Sequence, residues 1–167
     1  GPPLFIRELA RAWVRARALL ETLAVAGQPL MSSVCFEAAG LGAQGADAVR
    51  VLRAEHLVRG ADGGLINVFH DRVREAVLMR SDGSTQRMRH LALAVSLERS
   101  SRGAFEDLAR HFDAADERDR AARYAVRAGD AAVQALAFDR AAALYLLAIE
   151  RARSEAGSAD LYRKLGD

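Results

Sequence analysis

His70 and Asp71 are the pair in this chain that could do chemistry: an imidazole that changes charge near neutral pH, beside a carboxylate. The plainer reading of the same two residues is a helix start, with Asp71 as N-cap and His70 capping or packing beside a hairpin. His56, His90 and His111 are spaced too widely to share a metal, and no HExxH pattern is present. Cys35 is the single cysteine, which rules out an intrachain disulfide and argues against a Cys-based metal site. Its neighbours Val34 and Phe36 mark it as a small buried hydrophobe. Asp113, Asp116 and Glu117 read as helix-capping or solvated-turn acids. There is no Gly-x-Ser-x-Gly, no P-loop and no Gly-x-Gly-x-x-Gly, and Gly60, Gly63 and Gly64 suit a hairpin better than a phosphate. No catalytic set, no metal site and no resident cofactor is expected in these residues, so the chain reads as non-enzymatic.

The elements that must position these residues are helical. Hydrophobic residues make up 51% of the 167, aromatics only 6%, a balance of Ala and Leu that favours close helix packing. The net charge is +2, with Lys164 the only lysine. Acidic Asp113, Asp116, Glu117 and Asp119 alternate with Arg118, Arg120 and Arg123, a solvated face and not a basic stripe for nucleic acid. No stretch of about 18 apolar residues and no signal-peptide pattern occurs, so neither a membrane partner nor secretion is expected, and the cytoplasm is the expected location.

Gly1-Pro2-Pro3 starts irregular, and Leu4 to Arg17 reads as a helix. A second amphipathic helix with Leu19, Leu20, Leu23 and Ala24 ends at Gly27 and Pro29. Ser32 or Ser33 can cap a short helix through Ala39, stopped at Gly40, and Asp47 can cap or open another with Val49, Leu52 and the stem of His56 on its apolar side. The period then changes. Leu57 to Gly60 and Leu65 to Phe69 read as two strands around Ala61-Asp62-Gly63-Gly64. Asp71 can cap a helix through Met79, and Ser81 to Ser84 breaks it. Met88, Leu91, Val95 and Leu97 form one later stripe; Phe105, Leu108, Ala109 and Phe112 form another after a break at Ser100 to Gly103. Three helices and a hairpin give a winged-helix-like layout.

Asp119-Arg120-Ala121-Ala122 returns as Asp139-Arg140-Ala141-Ala142, and Gly129-Asp130 returns as Gly166-Asp167. With Gly129 as the small residue of a first TPR helix, Ala141, Tyr145 and Ala148 follow at twelve, sixteen and nineteen residues, where the second helix needs small, aromatic and small side chains. The Gly-Asp spacing of thirty-seven residues exceeds the ~34 of an ideal repeat, which implies a lengthened turn. One repeat cannot bury its own face, so more repeats are expected beyond Asp167. The expected fold is mainly α: a helical lid remnant at 1–17, a winged-helix-like module with one small β-hairpin at 18–80, and TPR-like antiparallel helical hairpins at 84–167.

Three stretches together resemble the region after the nucleotide-binding core of STAND-type P-loop ATPases, signalling proteins fused to protein kinases or LuxR-type regulators. Gly1-Pro2-Pro3-Leu4-Phe5-Ile6-Arg7-Glu8-Leu9 is similar to the family's G-x-P-L-F-(x)-x-E-L segment of the helical lid. Phe69-His70-Asp71-Arg72-Val73-Arg74-Glu75-Ala76 is similar to its F-x-H-D-x-(I/V)-x-E-A segment, without the residue usually found between Phe and His. Leu108-Ala109-Arg110-His111-Phe112 through Ala148-Ile149-Glu150 looks like the first hairpins of its helical arm. Family members usually carry several more helices where this chain has only a short link, Arg11 to Ala18. The resemblance implies that Pro3 lies beside the adenine of a nucleotide and that His70 contacts ADP phosphates as a latch, the ATP or ADP belonging to an ATPase module upstream in the same chain.

The function expected on this basis is non-catalytic regulation of a STAND-type ATPase, possessing partners of two kinds: the upstream ATPase in cis, and a protein or ligand on the arm. The concave face around Tyr124, Arg127 and Tyr145 is the expected docking site, although Tyr145 is equally explained as core. One rival is a winged-helix DNA-binding regulator with a TPR dimerisation arm. Its third helix offers Arg50 and Arg53 but also Asp47 and Glu55, and the hairpin tip bears Asp62, so phosphate contacts look scarce. A free-standing TPR adaptor is the other.

Overall fold

The structure is a computed structural model that describes residues 3–61, 64–100, 104–152 and 163–164. Among these lie eight α-helices and a three-stranded antiparallel sheet. The chain divides into two compact units, Gly1–Ser96 and Leu97–Asp167.

In the first unit, α1 (Leu4–Ala26) is one unbroken helix. The sequence reading placed a boundary at Arg17, but no glycine or proline interrupts 4–26, and nothing there stops helix propagation. Its C-terminal half supplies Ala16, Leu19, Leu23 and Ala24 to the core, and Gly27, at φ 68°, closes it in the left-handed region. The turn expected next contains a short strand, β1 (Leu30–Met31), which periodicity over two residues could not reveal. It is followed by α2 (Ser32–Ala38), a 3-10 turn (Gly42–Gln44) and α3 (Gly45–Ala54). Ser32 lies inside α2; the N-cap position is Met31, with no side-chain cap bond. Strands β2 (Val58–Ala61) and β3 (Leu65–Val68) pair as expected, Val58 opposite Val68 and Gly60 opposite Ile66, and β1 adds to the other edge of β3. Asp62 and Gly63 of the hairpin tip lie outside the described residues.

Helix α4 (Asp71–Arg80) follows the sheet, and α5 (Gly83–Ser100) begins after a two-residue link. Asp82 caps α5: its Oδ1 accepts the Thr85 N–H at 2.7 Å and the Ser84 hydroxyl at 2.8 Å. The buried positions of α5 are Leu93, Ala94, Ser96 and Leu97, whereas of the expected stripe Met88 is exposed and Leu91 and Val95 are half-buried. Ser96 donates to the Val34 carbonyl at 3.1 Å, and Arg89 pairs with the buried Glu21, which also receives Arg17. The core of this unit is therefore made by α1, α2, α3 and the sheet, with Leu93 and Ala94 of α5 also buried.

The second unit is a run of antiparallel neighbours: α6 (Phe105–Ala114), α7 (Arg118–Gln134) and α8 (Phe138–Arg151), α6 packing on α7 and α7 on α8. The expected break at Ser100 to Gly103 falls largely outside the described residues, and α5 runs through Ser100. Of the stripe Phe105, Leu108, Ala109 and Phe112, the last three are buried as expected and Phe105 is half-buried. The Asp-Arg-Ala-Ala repeat maps onto the first turns of α7 and α8, and the turns before them are alike: Glu117 N–H bonds Phe112 O and Ala137 N–H bonds Ala132 O, both at 2.9 Å. The later Gly166-Asp167 lies outside the described residues.

Candidate functional site

His70 leaves β3 in extended backbone, at φ −140° and ψ 149°, and the Phe69 N–H is tied to Leu57 O at 2.9 Å. This anchors the chain at the mouth of α4. His70 occupies the N-cap position without a side-chain cap bond, and Asp71 stands in the first helical turn, so Asp71 is not the cap that its residue type implied. There its charge still suits the helix dipole. The Phe69 ring meets His70 edge-on, with centroids 4.7 Å apart, and His56 at 6.4 Å. His56 itself is exposed and left-handed at φ 54°, outside α3, and contributes no apolar stem to it.

Around His70 lies a polar cavity of about 180 Å³ lined by Gly27, Arg59, Asn67, Val68, Phe69, His70, Asp71 and Arg74. Two arginines, a histidine and the first residues of a ten-residue helix line it, together with the acidic Asp71. A helix N-terminus and positive charge make such a place receptive to an anion. Arg74 is held in position from behind. Its Nε donates to Ala24 O at 2.9 Å, satisfying a carbonyl at the C-terminus of α1. Its guanidinium rests against Gly27, where a Cβ would come within 3.2 Å of Nη2. Arg74 stands one helical turn after His70, its N–H bonding the His70 carbonyl at 3.3 Å, whereas Arg59 comes from β2 and had no signal in the sequence as a neighbour of His70.

Pro3 is elsewhere. It precedes α1, its carbonyl accepting from Ile6 and Arg7, while Gly27 at the far end of α1 lines the His70 cavity. Twenty-three helical residues at ~1.5 Å each set these ends about 35 Å apart, far beyond the reach of one nucleotide. The structure does not bring Pro3 and His70 together.

In the second unit, Tyr124 stacks on Phe112 at 5.6 Å and on Phe105 at 6.4 Å. Arg120 lies over Phe112 at 3.9 Å and Arg127 over Phe105 at 4.0 Å, which closes the stack at both ends with cation–π contacts. The Tyr124 hydroxyl donates to Glu98, which Arg120 also meets. That hydroxyl, and then Arg120, hold the Glu98 carboxyl below its ordinary range, while burial and then Glu98 push Tyr124 up. Tyr124 and Arg127 are thus one cluster. Tyr145 is apart from it, only 4% exposed, with its ring against Gly129 and its hydroxyl on Asp130 at 2.7 Å. Of the three expected docking residues, Tyr145 is core and offers a partner no face. Beside the stack, a groove of about 370 Å³ has a floor of Ala128, Ala131, Ala132 and Ala135, with Phe105 on one side and the Arg140–Glu106 ion pair across it.

No group of three or more His, Cys, Asp or Glu side chains that could hold a metal occurs among the described residues. Nor is any of their helices long and apolar enough to cross a membrane. Compared with known proteins, the chain matches no family model, no curated protein and no solved structure.

Proposed function

We propose that this chain is a non-catalytic regulatory segment of a STAND-type ATPase signalling protein. On this reading the first unit is a winged-helix-like module and the second the start of a TPR-like arm. The observation that supports it is the His70 cavity. The segment Phe69 to Ala76, in which the resemblance places a phosphate contact, carries Arg74 itself and stands at a helix N-terminus beside Arg59. A nucleotide phosphate held by an upstream ATPase is an anion such a cavity can grip, and gripping ADP in one arrangement only would hold the closed state. Pro3 has no part in that pocket. The arm then receives a protein or ligand through the Tyr124 and Arg127 face and its alanine-floored groove, and a partner that prefers the open arrangement shifts the equilibrium.

The test is ADP retention by the full-length parent. His70→Ala and Arg74→Ala are each expected to speed ADP release by tenfold or more, the loss of one charge-assisted contact of ~1.5–3 kcal/mol. Unchanged release in both variants overturns the latch, and an upstream sequence without Gly-x-x-x-x-Gly-Lys-Ser/Thr overturns the ATPase reading. The DNA-binding reading is less well supported, because Arg50 on α3 is already paired with Asp47. Tight, salt-sensitive duplex binding by the chain would reinstate it.

A further inference from the structure

The N-terminal half of α1 carries an apolar row that nothing in its unit covers. Phe5, Leu9 and Trp13 follow at every fourth position, 75%, 49% and 44% exposed, with Ile6 exposed beside them. Four-residue spacing stacks side chains on one face of a helix. The same face continues as Ala16, Leu20 and Leu23, which pack into the first unit, and Trp13 borders a cavity with Leu20, Leu52 and Leu57 where the row enters the body. The exposed row thus continues the apolar face that α1 packs into its own unit. Arg7, Arg11 and Arg15 fall on the opposite face.

We propose that this row is a homodimer contact, formed by two copies of α1 crossing antiparallel at Leu9. The row reads aromatic, leucine, aromatic in either direction. A two-fold axis through Leu9 sets leucine on leucine and each Phe5 against Trp13 of the second copy, which is the self-complementarity an isologous interface needs. Aromatic pairs so placed add to the area they bury. The two arginine rows point away from each other across both helices. With axes ~8–10 Å apart, those charges are separated by more than the ~8 Å Debye length of physiological salt, so repulsion does not oppose pairing. The patch is small. Even fully covered, Phe5, Ile6, Leu9 and Trp13 from two copies bury at most about 1,000 Å², the lower bound for a specific interface, so the association is weak and concentration-dependent.

Sedimentation velocity of the 167-residue chain across ~1–200 μM tests this. The expected result is a doubling of mass toward the upper end, with the emission of Trp13, the only tryptophan, moving to the blue in step. Leu9→Glu is expected to keep the chain monomeric throughout with an unchanged circular-dichroism melt, while Arg11→Ala, on the far face, still dimerises. A monomer at every concentration overturns the proposal. So does a dimer that survives Leu9→Glu with Trp13 emission unmoved, which puts the contact on another face. A blue shift seen only with vesicles of phosphatidylcholine and phosphatidylserine at 3:1, without a mass change in solution, also overturns it and gives the row to an anionic lipid surface.

Discussion

Gly129 is where one residue's size decides the packing of α7 on α8. A Cβ there would lie 2.5 Å from Tyr145 Cε1 and 2.8 Å from Cδ1, inside contact distance of a ring that is itself buried and tied to Asp130. Alanine gains ~1 kcal/mol of helix propensity over glycine, but overpacking a closed core costs ~1–3 kcal/mol, so Gly129→Ala is expected to destabilise. Thermal melts check the sign, and Gly129→Ala with Tyr145→Leu should recover much of the loss. Cys35 is a second residue governed by its surroundings. Burial pushes its thiol up to about 12, so it stays protonated and inert at neutral pH. Ellman's reagent should label it only as the chain unfolds, at a rate that follows denaturant. Asp82 titrates in the other direction. The Thr85 N–H and then the Ser84 hydroxyl hold its carboxyl down to about 2. Its folded value lies below the ~3.9 of an unfolded aspartate, so the cap's contribution is complete above about pH 4 and is lost as pH falls toward 2. Asp82→Ala should lower the melting temperature at pH 7 and flatten its decline below pH 4.

Four helices end in the same way. After α2, α3, α6 and α7 a left-handed residue, Gly40, His56, Asp116 and Leu136, is followed by one whose N–H reaches back five residues: Leu41 to Phe36, Leu57 to Leu52, Glu117 to Phe112 and Ala137 to Ala132. This is the Schellman arrangement, which favours glycine at the left-handed position. Only α2 has one there. Leu136 is the most costly choice, at φ 58° and 75% exposed, since its side chain recovers little by burial. Leu136→Gly is expected to stabilise the second unit by ~1 kcal/mol, read as a raised urea midpoint at constant m value. Asp116→Gly should gain less, because Asp116 also meets Arg118 at 3.2 Å.

At the scale of the whole molecule, α5 shows how a helix is shared out by contacts far apart in sequence. Its sequence reads as the head of the second module, yet residues through Ser96 belong to the first unit. Arg89 on Glu21 and Ser96 on Val34 O account for this. Glu21 is nearly buried, and Arg89 is only 16% exposed. Glu21→Ala leaves that guanidinium without its carboxylate and should cost on the order of 1–3 kcal/mol. Arg89→Ala should cost a similar amount and the double variant less than the sum, a coupling that a double-mutant cycle in urea measures.

The sequence alone determined what depends on neighbours in the chain. The helical class, the β2–β3 hairpin, the αL stop at Gly40, the stripe of Leu108, Ala109 and Phe112, and the small-against-aromatic match of Gly129 with Tyr145 all follow from local period and residue size. Tertiary structure decided what depends on distant partners. It added β1 to the sheet, because two residues carry no periodic signal until β3 offers hydrogen bonds. It set Pro3 and His70 at opposite ends of α1, because helix length, not motif order, fixes separation. It brought Arg59 to His70, and it decided between the two readings of Tyr145 in favour of core. Such groupings are made by packing, which brings together residues that local sequence patterns treat as unrelated.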